Sequence, residues 1–259
     1  MSSGVRLTVI GCAGSYPGPE SSASCYLLEA DHEGRTWRVL LDLGSGALGT
    51  LQRYIDVLTV DAVFLSHLHA DHCLDLCGYY VLRKYHPDGT APQIPVWGPV
   101  GTALRMAKAY DLDEDPGMSE EFDFREYAGP EDGPFVVGPF TVRVREVKHP
   151  VTAYALRIEV AGRTLAYSGD TGACAALEEA ASDCDLFLCE ASFLEGGDNP
   201  PDLHLTGAEA GRAATVAGAA MLVLTHVPPW HDQQVVLAEA ATAYDGPMAL
   251  AATGQVHEL

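Results

Sequence analysis

The chain has 259 residues and a mass of 27.5 kDa, with 47% hydrophobic and 20% charged residues. This composition is typical of a globular protein and excludes a disordered chain, and the length fits one large domain or two modest ones. Its 36 acidic and 15 basic residues give a formal net charge of −21. We do not expect it to bind bulk RNA, DNA or an anionic membrane, because such binding relies on clustered lysine and arginine.

The cysteines and the least polar segments bear on the cellular compartment. There are seven cysteines, an odd number, and none forms a Cys-x-x-Cys pair. The N-terminal region carries a strand-like run, Val5–Ile10, rather than the charged segment and long apolar stretch of a secretory signal. The longest weakly polar stretch, Ala213–Leu224, is too short to span a bilayer. These features predict a reduced, cytoplasmic protein.

Short apolar runs bounded by turn residues predict strands in the first half of the chain, with helices between them. In chain order the predicted elements are strands Val5–Ile10, Ser24–Leu28 and Trp37–Leu41, helix Ala47–Tyr54, strand Ala62–Leu65 and helix Leu74–Tyr85. Two acidic stretches rich in glycine and proline, Asp111–Gly117 and Gly129–Pro134, are predicted surface loops.

The second half of the chain shows the same combination of strands and helices. Its predicted elements are strands Phe140–Val147, Ala153–Val160 and Arg163–Tyr167, helix Ala173–Ala181, strand Leu186–Cys189, helix Gly207–Ala217, strand Met221–Leu224 and helix Gln233–Tyr244. No repeat or linker divides the chain, so we predict a single domain over residues 1–259. Strand groups with interleaved helices in both halves favour an α/β fold with two sheets faced by helices, an αβ/βα sandwich.

The segment with the clearest chemistry is Ser66-His67-Leu68-His69-Ala70-Asp71-His72, which directly follows a predicted buried strand. Imidazole and carboxylate groups are the ligands that Zn²⁺ and similar divalent ions prefer. A loop of this length can direct His67 and His69 to one metal ion and Asp71 and His72 to a second. A chance cluster at this spacing is improbable, so we interpret it as a metal-binding motif.

This segment resembles the signature of the metallo-β-lactamase-fold hydrolases, and the similarity extends from Val5 to about Leu250. The resemblance implies a four-layer αβ/βα sandwich of two mixed β-sheets flanked by helices. It also implies further metal ligands in the order His, Asp, His. Three residues that follow predicted strands match that order: His149, Asp170 and His226.

The resemblance further implies two divalent metal ions. One would be held by His67, His69, His149 and Asp170, and the other by Asp71, His72, Asp170 and His226. Zn²⁺ suits this histidine-rich set best, while Mn²⁺ and Fe²⁺ occupy similar sites. Two such ions lower the pKa of a bound water and neutralise the charge that develops during an in-line displacement.

Two later motifs are similar to the tRNase Z and phosphodiesterase branch of this family. They are Glu190-Ala191-Ser192-Phe193 and His204-Leu205-Thr206. The resemblance implies that His204 binds the scissile phosphate and acts as general acid, with Glu190 as its partner, while a hydroxide between the metals attacks phosphorus. Asp71 would also orient this nucleophile. An imidazole held by a carboxylate keeps its proton and can deliver it to a leaving alkoxide.

Four functions are compatible with these motifs. We favour a phosphodiesterase acting on a small phosphodiester, because Leu65–Leu76 and Pro200–Leu205 are most similar to actinobacterial proteins proposed as cyclic-nucleotide phosphodiesterases. Cyclic AMP is then the leading substrate; another cyclic nucleotide or a cyclic ribose phosphate is an alternative. A tRNase Z-like 3′-end endoribonuclease is disfavoured, because the long tRNA-binding arm of that family has no room between His149 and Asp170, and because the chain is acidic.

The two other functions are a carbonyl hydrolase on the same fold, such as a lactonase or thioesterase, and a non-catalytic metal-binding accessory protein. The His-x-Thr motif argues against the first and the complete ligand set against the second. We expect a small phosphodiester as partner, no large nucleic acid and no membrane. A homodimer is implied by the resemblance.

Several residues near these motifs have less certain roles. Asp42 is a candidate for orienting a metal-bound histidine, whereas Cys73 receives no role because the ligand sets are complete without it. Trp230 and His231 follow His226 and either line the pocket or pack within a loop. We predict that the histidines outside ligand positions, His32, His86, His231 and His257, lie on the surface.

Overall fold

The structure is a computed structural model that describes residues 4–127 and 133–259. The described residues form fifteen β-strands and seven α-helices. The strands are β1 Val5–Ala13, β2 Ser22–Ala23, β3 Cys25–His32, β4 Arg35–Leu41, β5 Ala62–Phe64, β6 Ile94–Gly98, β7 Phe122–Glu126, β8 Phe135–Val137, β9 Phe140–Val147, β10 Ala153–Val160, β11 Arg163–Tyr167, β12 Leu186–Glu190, β13 Leu222–Thr225, β14 Met248–Leu250 and β15 Val256–Glu258. The helices are α1 Ala47–Leu51, α2 Ala70–Cys73, α3 Leu76–Tyr85, α4 Thr102–Ala109, α5 Ala175–Ala181, α6 Gly207–Ala217 and α7 Gln233–Ala240.

The strands form two mixed sheets. The first has the order β15-β1-β3-β4-β5-β6-β7, with β2 paired to β1, and the second has the order β14-β13-β12-β11-β10-β9-β8. In the first sheet β4 to β7 run parallel, and in the second β11 to β14 run parallel. The predicted fold of two mixed sheets flanked by helices is confirmed.

The main core lies between the two sheets. Tyr26 and Phe64 of the first sheet belong to the same buried cluster as Leu156 and Tyr167 of the second. The rings of Tyr26 and Tyr167 meet with their centroids 5.2 Å apart. Full burial of a large apolar side chain contributes about 1.5–3 kcal/mol, so this layer of side chains holds the sheets face to face.

Helices cover the outer faces of both sheets. Helices α1, α3 and α4 contribute to a buried cluster with the first sheet, through residues such as Leu51, Tyr79 and Met106. Helices α5, α6 and α7 contribute to another cluster with the second sheet, through residues such as Leu177 and Val236. The layers are therefore helix, sheet, sheet and helix.

The carboxyl ends of the parallel strands position the predicted site. Parallel strands end at the same edge of a sheet, and open α/β sheets bind their ligands there. Strands β4 and β5 are neighbours in the first sheet, and β11, β12 and β13 are neighbours in the second. The loops that follow these strands carry the candidate ligands of the HxHxDH segment, Asp170 and His226.

The structure corrects several element boundaries and adds strands. The predicted helix Gln233–Tyr244 ends at Ala240, followed by turns, and Ala47–Tyr54 ends at Leu51. Strands β2, β6, β7, β8, β14 and β15 and helices α2 and α4 were not predicted. The predicted surface loop Asp111–Gly117 is largely exposed, whereas most of the loop predicted at Gly129–Pro134 lies outside the described residues.

One predicted surface histidine is buried. His257 lies on β15, which pairs antiparallel with β1 and places His257 opposite Leu7. Only 7% of His257 is exposed. The prediction was wrong because it assigned the C-terminal residues to no strand, whereas β15 completes the edge of the first sheet.

Candidate metal centre and active site

The HxHxDH segment turns sharply after β5 because its backbone is held by Asp42 at the end of β4. The Ser66 amide donates to Asp42 Oδ1 at 2.6 Å, and the Ser66 hydroxyl donates to Asp42 Oδ2 at 2.8 Å. His67 follows immediately and is fully buried, while Asp71 and His72 lie on the short helix α2. The segment thus directs its polar side chains towards the facing edge of the second sheet.

A first group of candidate ligands combines residues of both sheets: His67, His69, His149 and Asp170. His69 Nδ1 lies 3.1 Å from His67 Nε2 and 3.2 Å from His149 Nε2. Asp170 Oδ2 lies 3.6 Å from His67 Nε2. The ligand atoms of the group all lie within 4.8 Å of one another, which is a spacing that one cation can bridge.

A second group shares Asp170 with the first and consists of Asp71, His72, Asp170 and His226. His226 Nε2 lies 3.0 Å from His72 Nε2 and 3.2 Å from Asp71 Oδ2. Asp170 Oδ1 lies 3.2 Å from His72 Nε2 and 3.4 Å from His226 Nε2. The structure thus brings together all seven residues that the sequence singled out as ligands.

The hydrogen bonds that two of these histidines make through Nδ1 determine which ring nitrogen faces the ligand groups. His72 Nδ1 donates to Asp42 Oδ2 at 2.7 Å, and His149 Nδ1 donates to the Leu203 carbonyl at 2.9 Å. Because both partners only accept, each neutral ring carries its proton on Nδ1 and a lone pair on Nε2. The Nε2 lone pairs of these rings therefore face the same space as the carboxylate oxygens of the two ligand groups.

This convergence fits divalent metal ions. Asp170 Oδ1 is buried without a hydrogen-bond partner among the described residues. A buried acceptor without a hydrogen bond lowers the stability of the folded state by about 1–3 kcal/mol, and by more if the acceptor is charged. Imidazole nitrogens and carboxylate oxygens are ligands of Zn²⁺, so a cation in each group would satisfy atoms that otherwise repel one another.

The directions of the pKa shifts of the ligand histidines are consistent with a bound metal ion. Burial lowers the pKa values of His67, His69 and His149, which favours the neutral imidazoles that metals bind. Burial also lowers the pKa of His72, but the carboxylates of Asp170 and Asp42 outweigh it and raise that pKa well above the usual value. The carboxylates around His72 thus favour a positive charge, and a metal ion in the second group would supply it.

A histidine and a glutamate form a pair beside both groups. His204 Nδ1 donates to Glu190 Oε1 at 2.9 Å. The ring centroid of His204 lies 5.6 Å from that of His149 and 5.6 Å from that of His226. The ring of Phe193 packs against the His204 ring in a T-shaped arrangement, with the ring centroids 5.1 Å apart. His204 therefore lies close to one residue of each group, His149 and His226.

Glu190 is held rigidly at the end of β12. It is fully buried, and it accepts from the Thr171 amide at 2.8 Å and the Ser192 hydroxyl at 3.0 Å. Burial lowers the pKa of His204, but the charge and hydrogen bond of Glu190 outweigh it and raise the pKa to about 9. This shift favours the protonated imidazole, which carries N–H groups at both Nδ1 and Nε2.

The loop that carries His204 is fixed by the start of α6. Thr206 Oγ1 accepts from the Glu209 amide at 3.2 Å, and Glu209 Oε2 accepts from the Thr206 amide at 2.9 Å. This reciprocal capping box is readable from Thr and Glu three residues apart. It anchors the chain two residues after His204.

Two contacts around the ligands were not predicted. Tyr167 Oη donates to Asp42 Oδ2 at 2.6 Å, and the Ser192 hydroxyl lies 2.8 Å from His226 Nδ1. Both residues adjoin strand-end motifs, but nothing in their spacing reveals the partner across the sheets. Cys73 lies in the apolar cluster under α1 and α3 and belongs to none of the ligand groups. Burial raises its pKa to about 12.

Comparison with known proteins identifies the family. A sequence profile described as "Beta-lactamase superfamily domain" matches residues 37–227, well over half of the chain. This chain belongs to the metallo-β-lactamase superfamily. As in the fold expected for that superfamily, its candidate ligands lie at the strand ends of two facing sheets.

Relatives of this superfamily member match it over nearly its whole length. The Mycobacterium tuberculosis protein Rv1339 is 46% identical over 250 residues, covering 94% of this chain and 88% of the relative. The probable metallo-hydrolase YhfI of Bacillus subtilis is 31% identical over 258 residues, covering 98% of this chain and all of YhfI. The crystal structure of YhfI aligns with a TM-score of 0.85 at 29% identity, covering 98% and 99% of the chains.

A relative named ribonuclease Z, from Myxococcus xanthus, is 29% identical over 310 aligned positions, covering 98% of both chains. The names of these relatives support the conclusion that the chain is a metallo-hydrolase.

Among the helices within residues 4–127 and 133–259, none combines the length and the apolar character that a membrane-spanning helix needs.

Proposed function

We propose that the chain is a metal-dependent phosphodiesterase that hydrolyses a small phosphodiester, with cyclic AMP as the leading substrate. The observation that carries the proposal is the His204–Glu190 pair beside the two ligand groups. A protonated imidazole suits a phosphate oxygen and a leaving alkoxide, because it supplies both positive charge and a proton. The relative named ribonuclease Z supports phosphodiester chemistry on this fold.

The ligand groups would hold two divalent ions, with Asp170 shared between them. When bound, such ions lower the pKa of a coordinated water and neutralise charge on the reacting phosphate. Zn²⁺ is the favoured ion, and Mn²⁺ the alternative.

The residues of the chain then divide the remaining work. His204 Nδ1 stays protonated because Glu190 accepts its hydrogen bond at 2.9 Å. His204 Nε2–H binds the phosphate and delivers its proton to the leaving oxygen. With 12% of its side chain exposed, His204 can reach a bound substrate while most of its ring stays out of water. General acid catalysis of this kind contributes roughly 10²–10⁴ in rate.

Asp71 is placed to orient the attacking water. Burial raises the pKa of Asp71, but the hydrogen bond from His226 and the neighbouring histidines lower it below its usual range. The group is therefore an ionised carboxylate, which can accept a hydrogen bond from a water molecule and orient it. Its side chain is 13% exposed, so water and substrate have access to it.

A small substrate is favoured over tRNA by the chain between His149 and Asp170. These residues, all of them described, contain β10 and β11, which pair as a hairpin within the second sheet. An extended RNA-binding arm does not occur there. The alignment to the Myxococcus xanthus ribonuclease Z spans more positions than this chain has residues, so that relative carries insertions. The net charge of −21 also disfavours a polyanionic substrate.

The test is hydrolysis of 3′,5′-cyclic AMP by the purified protein loaded with Zn²⁺ or Mn²⁺. We expect turnover that disappears in His67→Ala and falls at least about a hundredfold in His204→Ala. His32→Ala, which changes an exposed histidine away from the site, is the matched control. A wild-type protein that binds two metals and does not hydrolyse cyclic AMP would contradict this substrate. Turnover of a lactone, thioester or tRNA precursor instead would favour the corresponding alternative.

A further inference from the structure

A cavity of about 380 Å³ lies beside the candidate general acid and has none of the candidate metal ligands in its lining. The lining includes His204 itself, Phe193, whose ring packs against His204, and Gly172, which follows Asp170 by two residues. Binding sites for small molecules usually span about 300–1,000 Å³. The cavity therefore has room for one small group, and it adjoins the candidate active site through His204.

The wall of this cavity is connected to the segments that carry two candidate ligands. Lys148, which precedes the ligand His149, forms an ion pair with Asp202 of the wall at 3.0 Å. The Gly172 amide donates to the Lys148 carbonyl at 2.8 Å. A Cβ on Gly172 would lie 2.6 Å from Asp202 Cα, so the two backbones are in direct contact. Backbone packing thus fixes the position of the cavity relative to the ligand groups.

The positive groups of the cavity are already paired with carboxylates. Among the described residues that line it, the side chains that can carry positive charge are Arg212 and His204. Arg212 Nη2 lies 3.6 Å from Glu195 Oε1, and His204 Nδ1 donates to Glu190 Oε1 at 2.9 Å. Glu209 contributes a further carboxylate to the lining. A phosphate in the cavity would therefore meet no cation that lacks a carboxylate partner, whereas hydroxyl groups would meet acceptors.

We propose that this cavity is the subsite for the leaving group, and that it selects a neutral, hydroxyl-bearing group such as a nucleoside over one that carries a further phosphate. The inference rests on the proposed function, in which the bond between phosphorus and the leaving oxygen breaks and that oxygen takes a proton from His204 Nε2. The leaving oxygen then lies at His204, and the group attached to it extends into the space that His204 lines. In a 3′,5′-cyclic nucleotide that group is the nucleoside itself.

Glu195 is the specificity-determining residue, because it neutralises Arg212. Its Oε1 also accepts a hydrogen bond from the Thr206 hydroxyl at 2.6 Å. In Glu195→Gln the amide oxygen can still accept that hydrogen bond, but the negative charge is lost. Arg212 then loses its carboxylate partner, and a phosphate in the cavity could pair with the guanidinium instead.

The test compares two ligands by equilibrium dialysis with the Zn²⁺-loaded protein: adenosine 5′-monophosphate and adenosine 3′,5′-bisphosphate. One phosphate of either ligand can occupy the metal centre, and the bisphosphate then brings its second phosphate into the cavity. We expect the wild type to bind the bisphosphate more weakly than the monophosphate. In Glu195→Gln we expect the ratio of the two Kd values to shift about tenfold in favour of the bisphosphate, which is the gain from one hydrogen bond to a charged group.

Two further variants control for net charge and for the role of the arginine. Glu179→Gln is the matched control, because Glu179 Oε2 lies 3.7 Å from Arg145 Nε and the residue does not line the cavity. It changes the net charge by the same amount as Glu195→Gln, so the Kd ratio should stay at the wild-type value. In the double variant Glu195→Gln with Arg212→Gln the gain should disappear, because the cation is removed.

The outcomes distinguish this inference from the proposed function. The expected shift in a protein that does not hydrolyse cyclic AMP would support the subsite and overturn the proposed substrate. Hydrolysis of cyclic AMP together with the same Kd ratio in Glu195→Gln and Glu179→Gln would overturn the subsite alone. So would tighter binding of the bisphosphate than of the monophosphate by the wild type, or a gain that persists in the double variant. Failure of both ligands to bind at millimolar concentration would overturn both.

Discussion

The hydrogen bond between Asp42 and His72 allows a sharp test of the metal centre. Asp42 is fully buried, and His72 Nδ1 donates to its Oδ2 at 2.7 Å. Asp42→Asn keeps the size of the side chain but can place an amide NH₂ opposite His72 Nδ1. The imidazole then has to move its proton to Nε2, the nitrogen that faces Asp71, Asp170 and His226.

The expected loss can be estimated from the role of such partners. Replacing the residue that orients a metal-bound histidine costs about 10–100-fold in metal affinity, which corresponds to about 1.4–2.7 kcal/mol. This loss should be confined to the group of Asp71, His72, Asp170 and His226. Among the described residues, Asp42 makes no direct hydrogen bond to His67, His69 or His149 and reaches His67 only through the Ser66 hydroxyl, so the first group should largely keep its affinity.

Competitive titration of Zn²⁺ against a chromophoric chelator measures both sites. We expect two binding steps in the wild type, of which only one weakens in Asp42→Asn. The ¹⁵N chemical shifts of His72 should show the change of tautomer. Asp185→Asn is the control, because Asp185 also accepts hydrogen bonds, from Arg163 and Thr164, but lies at the amino end of β12 away from the site.

Two results would refute this reasoning. Equal affinity of both sites in Asp42→Asn and wild type would mean that the carboxylate does not set the His72 tautomer. Equal weakening of both sites would mean that Asp42 acts by supporting the whole loop through Ser66. Thermal unfolding of the metal-free proteins separates either result from general destabilisation, since a buried unsatisfied donor costs about 1–3 kcal/mol.

Three further substitutions test other parts of the site. Asp170→Ala removes the ligand that the two groups share, so we expect metal content below one ion per chain with an unchanged circular dichroism spectrum; full retention of two ions would contradict the shared role. Glu190→Gln removes the charge that raises the pKa of His204 to about 9. Because a general acid must be protonated, we expect the alkaline limb of the pH–rate profile to move to lower pH. An unmoved limb would count against His204 as the acid. Gly44→Ala places a Cβ 1.9 Å from the Asp71 carbonyl oxygen, whereas Gly49 has open space around it. In chemical denaturation we expect Gly44→Ala to destabilise the fold by about 1–3 kcal/mol or more, and Gly49→Ala to stabilise it by up to about 1 kcal/mol. Equal effects of the two substitutions would show that the close approach of Gly44 to Asp71 is unimportant.

Much of the site was predictable because the residue types that bind metal ions can be read directly from the sequence. His67, His69, Asp71 and His72 follow a strand at a spacing that few structural loops share, and later strand ends add His149, Asp170 and His226 in the order of the family. Their convergence needs the second sheet to face the first, which periodicity alone does not show. The resemblance supplied that step.

Other features depend on pairing across the fold and were not predictable. Strand β6 contains Pro95, which argues against a strand with neighbours on both sides. Strands β14 and β15 have three residues each, too few for a recognisable alternation. The hydrogen bond from Tyr167 to Asp42 joins residues 125 positions apart. The single domain over residues 1–259, the homodimer and the cytoplasmic location stay predictions.

The division of ligands between the sheets links metal binding to the assembly of the fold. His67 and His69 follow β5 of the first sheet, whereas His149 and Asp170 follow β9 and β11 of the second. Neither sheet alone supplies a complete group, so an unfolded or half-folded chain cannot reproduce the site. A ligand that binds only the native state stabilises it by mass action. Metal binding would therefore also stabilise the packing of the two sheets against each other. Asp170 belongs to both groups, and its buried Oδ1 has no hydrogen-bond partner among the described residues.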